Sequence, residues 1–110
     1  MAVAINIFKT VTADLTTTGN VVYTAPSGYS SVVLLAQVSN TSANAISVSA
    51  SHVRSGNYTN ILNEGPLPPN DSMNLLFGKL ILQTGDGFSV SASDNNVAEL
   101  LLSVLETANP

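Results

Sequence analysis

The feature that most constrains this chain is an apolar–polar alternation with a period of two. Ile46, Val48 and Ala50 alternate with Ser47, Ser49 and Ser51, and Phe88, Val90 and Ala92 alternate with Ser89, Ser91 and Ser93. Successive side chains of an extended strand point to opposite faces, so this pattern describes an antiparallel sheet with one wet face. Two other stretches are apolar on both faces. In the segment from Ser30 to Asn40, the alternation sets Val32, Leu34, Ala36 and Val38 against Val33 and Leu35. In the segment from Glu99 to Glu106, it sets Leu100, Leu102 and Val104 against Leu101 and Leu105. A strand apolar on both sides is central in its sheet or covered by another subunit. Val33, Leu35, Leu101 and Leu105 are therefore candidate subunit-interface residues.

Turn signals separate these runs. Pro26 and Gly28, the polar stretch 40–44, Ser55-Gly56-Asn57, Thr84-Gly85-Asp86-Gly87 and Asp94-Asn95-Asn96 each suit a tight reversal. The stretch 65–70 holds three prolines and reads as a rigid connector, since proline donates no ladder bond. The punctuation predicts about eight strands, near residues 3–12, 20–25, 31–39, 45–54, 57–63, 72–82, 87–93 and 98–106. Gly78 weakens a helical reading of 73–82 by about 1 kcal/mol, and 97–106 shows no 3.6-residue stripe. The pattern predicts an all-β fold, a single-domain antiparallel β-sandwich or jelly roll over residues 1–110, with 107–110 as a free tail.

Composition narrows the function. Charged residues make up 9% of the 110 positions, against about 25% in ordinary domains. Fourteen Ser, ten Thr and twelve Asn take their place. Three basic residues and a net charge of −4 supply no phosphate-neutralising patch, so no nucleic acid is expected as a partner. The longest apolar run is five residues, Val32 to Ala36, so no membrane span is expected either. The first ten residues lack a basic region followed by an apolar one, and no signal peptide is expected. The absence of cysteine removes thiolate metal sites, disulfides and thiol catalysis.

No constellation of reactive residues emerges. His52 is the one histidine. A triad with Ser49 or Ser51 lacks any accompanying nucleophile motif, and packing or simple hydrogen bonding is the expected role. Most carboxylates sit in or beside turns, where they bond the local backbone. Asp94-Asn95-Asn96 opens like a calcium loop but lacks its later glycine and bidentate glutamate. Gly85-Asp86-Gly87 lacks the lysine and the longer frame of a phosphate loop. The reading is of a non-enzyme, with catalytic, cofactor-binding and metal-binding residues all absent.

Three landmarks carry a resemblance. The first 42 residues, the segment GKLILQTGDGFSVSAS at 78–93 and the ending LLLSVLETAN at 100–109 resemble small virion structural proteins of tailed bacteriophages, notably phages of marine bacteria. The resemblance implies a β-sandwich subunit that works by assembly, located in the virion and put together in the host bacterial cytoplasm. It implies a capsid decoration (cement) protein, with the major capsid protein or other virion proteins as partners and a homotrimer as the favoured oligomer. A tail, neck or baseplate accessory or fibre-attachment module and a glycan-binding host-recognition domain are the alternatives.

Overall fold

The computed structural model describes residues 5–109. Nine strands follow in order: β1 (Asn6–Asp14), β2 (Asn20–Thr24), β3 (Tyr29–Asn40), β4 (Ile46–Arg54), β5 (Asn57–Leu67), β6 (Ser72–Asn74), β7 (Leu80–Leu82), β8 (Gly87–Ala92) and β9 (Ala98–Ala108). They form two antiparallel sheets. The first has the order β1-β9-β3-β6, with β7 also on β3, and the second has the order β2-β8-β4-β5. Counting β6 and β7 as two halves of one interrupted strand, this is the eight-strand connectivity of a jelly roll.

The core lies between the sheets. Val33, Ala36, Val38, Leu100, Leu102 and Val104 of the first sheet pack with Ile46, Val48, Ala50, Phe88, Val90 and Ala92 of the second. The inward faces of β4, β8 and β9 are those that the alternation predicts. Strand β3 differs. Its pairing with β9 shifts register between Val33 and Leu35, so Leu34 is an extra residue that inverts the parity of the strand. Val33 points inward and is fully buried, together with Ala36 and Val38, while Leu34 is 41% exposed. Val33 therefore belongs to the core and drops out of the candidate interface set. The interface reading had assumed a strand without a bulge.

Other boundaries shift for identifiable reasons. Residues 3 and 4 of the first expected strand lie outside the described residues; β1 runs on to Asp14, whose register partner on β9 is Glu99. Gly65, Pro66 and Leu67 are the end of β5 and not a connector, with Leu67 paired to Ile46. Proline is tolerated there because β5 is an edge strand. The expected strand 72–82 splits into β6 and β7, and Leu75 in the gap donates its amide to the Ala36 carbonyl at 2.8 Å. Thr107 to Asn109 are no free tail. Thr107 and Ala108 continue β9, and the Asn109 amide donates to the Gly28 carbonyl at 2.9 Å; Pro110 lies outside the described residues. Ser89 was expected to face outward. It does, yet it is only 5% exposed, because β8 is flanked by two strands and position 19 crosses beside it.

Several turns use positive φ, two of them at the ends of β4 and β7. Ser55 (51°) and Gly56 (78°) close the β4–β5 hairpin with the handedness that matches strand twist. Gly85 (87°) occupies the third position of a turn closed by the Asp86 amide on the Gln83 carbonyl at 2.8 Å. The register on β9 gives a direct test. Leu100→Ala should cost about 2–5 kcal/mol in urea unfolding, and Leu101→Ala should stay within about 0.5 kcal/mol. Equal losses would mean that the faces of β9 are assigned the wrong way round.

Candidate functional surface

The strand alternation carries His52 onto the inner face of β4, level with Phe88 on β8. There its Nε2 lies 3.1 Å from Asp86 Oδ2. Arg54, two residues on, grips the same carboxylate with two bonds, Nε to Oδ1 at 2.8 Å and a terminal nitrogen to Oδ2 at 2.6 Å. The Gln83 amide donates to Asp86 Oδ2 at 2.9 Å. Asp86 is buried, and its carbonyl also receives the Ala25 amide. The Arg54 guanidinium holds the Asp86 carboxyl well below the usual carboxylate range, helped by His52 and the Gln83 amide and opposed by burial. This turn aspartate joins β4, the β7–β8 turn and the end of β2.

A second charged group sits between the sheets at the same end. Glu106 on β9 is 1% exposed. Lys9 on β1 reaches its Oε1 at 3.1 Å, and the Tyr23 hydroxyl, projecting from β2 in the opposite sheet, donates to its Oε2. That hydroxyl also lies 2.8 Å from Ser31 Oγ on β3. Burial, and then the hydrogen bond to Glu106, push the Tyr23 phenol up to about 12. Tyr23 thus bridges the two sheets.

These groups are occupied with one another. His52 is on the opposite face of β4 from Ser49 and Ser51, so the formally possible triad is not assembled. Among the described residues, no group of three or more His, Asp and Glu could hold a metal ion. In the loop at 94–96, Asn95 Oδ1 accepts the Thr17 amide at 2.8 Å, and Asn96 adopts a φ of 59°, which makes it a backbone-fixing turn. Asp14 and Glu99 do face each other across β1 and β9. They border an open depression on the outer face with Thr12, Gln37 and Ser39, without the enclosing walls that carboxylate-pair catalysis uses.

The prominent surface is apolar. The register aligns Phe8 with Leu105, Leu105 with Val32, and Val32 with Ile81. These four side chains form one row across β1, β9, β3 and β7 on the outer face of the first sheet. Phe8 is 75% exposed and Ile81 56%. Leu34 and Leu35 extend the row toward Phe77, with which they share a shallow depression, and Phe77 is wholly exposed. Of the residues singled out in the sequence, Leu35, Leu101 and Leu105 lie on this face and Val33 does not. Phe8, Val32, Ile81 and Phe77 were missed. The signal for Phe8 lay in the period-two pattern of 6–14, but its neighbours across the sheet are set by a register that spans nearly the whole chain. No protein-family model matches the chain, and no curated protein matches it in sequence.

Asp86 and Tyr23 both predict pH behaviour. Asp86 has a lowered native pKa, so its contribution is present above the unfolded value near ~3.9 and is lost as pH falls through and below it. Asp86→Asn should lower the urea midpoint at pH 7, and the gap to the parent should close on acidification; a constant gap down to pH 2 would contradict the pairing. Tyr23 has a raised native pKa, so its contribution is present below the unfolded value near ~10 and is lost as pH rises toward about 12. Tyr23→Phe should cost about 1–3 kcal/mol at pH 7 and flatten the alkaline limb between those values, as followed by circular dichroism.

Proposed function

We propose that the chain is a virion structural protein of a tailed bacteriophage, most simply a capsid decoration protein that docks on the assembled head. The observation that carries this reading is the apolar row Phe8–Leu105–Val32–Ile81, on a sandwich of low charge whose half-buried His52 and buried Asp86 and Glu106 are committed to internal bonds. Four strands at about 4.8 Å spacing and nine residues at about 3.3 Å each give a face of roughly 600 Å². That is close to the approximately 800 Å² that each partner contributes to a stable interface. The sequence landmarks at the start, at 78–93 and at 100–109 support the same reading.

A subunit of this kind works by linkage. It binds the assembled shell better than the separated shell subunits, so its binding free energy adds to the stability of the shell. Modest contacts repeated over a lattice are sufficient, and no turnover is required. The test is to delete the gene and heat the resulting particles. Decoration predicts complete tails, normal adsorption and DNA release at lower temperature, with rescue by added protein but not by a Phe8→Asp, Ile81→Asp variant. Intact heads with failed tails or lost adsorption would replace the head reading with a tail or receptor role.

A further inference from the structure

The two sheets have four edges, and three of them are guarded. β2 is five residues long with a register shift between Val21 and Tyr23. β5 carries two register shifts, a φ of 49° at Glu64 and Pro66 within the strand. The fourth sheet position is broken into β6 and β7 of three residues each. Short strands, bulges and prolines of this kind discourage edge-to-edge pairing. β1 has none of them. Its nine residues pair with β9 without a register shift, contain no proline, and are mostly exposed. Of its two charges, Lys9 is held by Glu106 of β9 at 3.1 Å, and Asp14 is confined to the last position of the strand.

We propose that β1 pairs antiparallel with β1 of a second copy, about a twofold axis through Thr10. This register has three supports. It matches the pleat, placing the outward residues Asn6, Phe8, Thr10, Thr12 and Asp14 of one strand beside outward residues of the other. It engages all nine residues, whereas a twofold shifted to Val11 engages seven. It sets Asn6 against the Asp14 carboxylate and Thr10 against Thr10, while a twofold at Lys9 would oppose two ammonium groups. The pairing is isologous and closes at two subunits, so it selects a dimer where the resemblance favoured a trimer. It also joins the two outer apolar faces into one continuous surface on one side. The inference stands on the strand edges and not on the virion reading, and its failure would leave that reading untouched.

The absence of cysteine from the chain makes the test clean. Light scattering on the purified full-length protein should give a dimer. Thr10→Cys should cross-link to a covalent dimer under mild oxidation. Phe8→Cys mixed with Thr12→Cys should cross-link, while neither alone should. Thr10→Lys should weaken the dimer about fivefold through the like charges across the axis, with an unchanged circular dichroism spectrum showing that the fold persists. A monomer at all concentrations, a trimer, a dimer whose Thr10→Cys form stays reduced, or cross-linking by Phe8→Cys alone would each overturn the proposal.

Discussion

The pairing of β3 with β9 is the constraint on which the rest of the structure depends. These are the two inner strands of the first sheet, and they bring the chain's two doubly apolar segments side by side over most of their length. Once paired, Val33, Val38, Leu100, Leu102 and Val104 present one face to Phe88, Val90 and Val48 across the sandwich. Close packing of that layer leaves no choice about which leucines turn outward. The bulge at Leu34 is part of the same constraint. Without it, the half of β3 before the bulge would send Val32 inward and Val33 outward, and both the core and the outer face would change.

Polar chemistry closes one end of this apolar layer. The strands end there with β2, β4 and β9, and a jelly roll leaves its core open between the sheets at such an end. Glu106 and Asp86 fill that position, each with a cation from a neighbouring strand and further donors. A buried carboxylate with one donor missing would be costly, and the joint presence of Lys9, Tyr23, Arg54, His52 and the Gln83 amide keeps both satisfied. Among the described residues, no buried side-chain nitrogen or oxygen lacks a partner. This end reads as a pair of fastenings between strands distant in sequence, which is why the one histidine and the one arginine of the chain are found there.

The surface then divides by sheet. The outer face of the second sheet carries mostly small serines, with Ser49 beside Ser91 and Ser51 beside Ser89, together with the exposed Val21 and Tyr58. The outer face of the first carries the leucines, isoleucine and phenylalanines. Burial of the row Phe8–Leu105–Val32–Ile81 would remove apolar surface from water, with Asp14 and Glu99 lying toward the other end of the same face.

The sequence by itself determined the strand content, the inward faces of β4, β8 and β9, and the location of the main turns. Those features are local: side-chain alternation and glycine or proline backbone preferences act within a few residues. It also showed the poverty in charge. The tertiary structure alone decided the rest. Val33 went to the core because an inserted residue is visible only when two paired strands are compared. Gly65 to Leu67 joined β5 because being at an edge, not being proline-rich, decides whether a ladder tolerates Pro66. Thr107 to Asn109 were held by partners about eighty positions away, as was Glu106 by Tyr23, 83 residues earlier. The row Phe8–Leu105–Val32–Ile81 joins four strands from both ends and the middle of the chain. Such contacts depend on register across the whole sheet, which no local window of sequence contains.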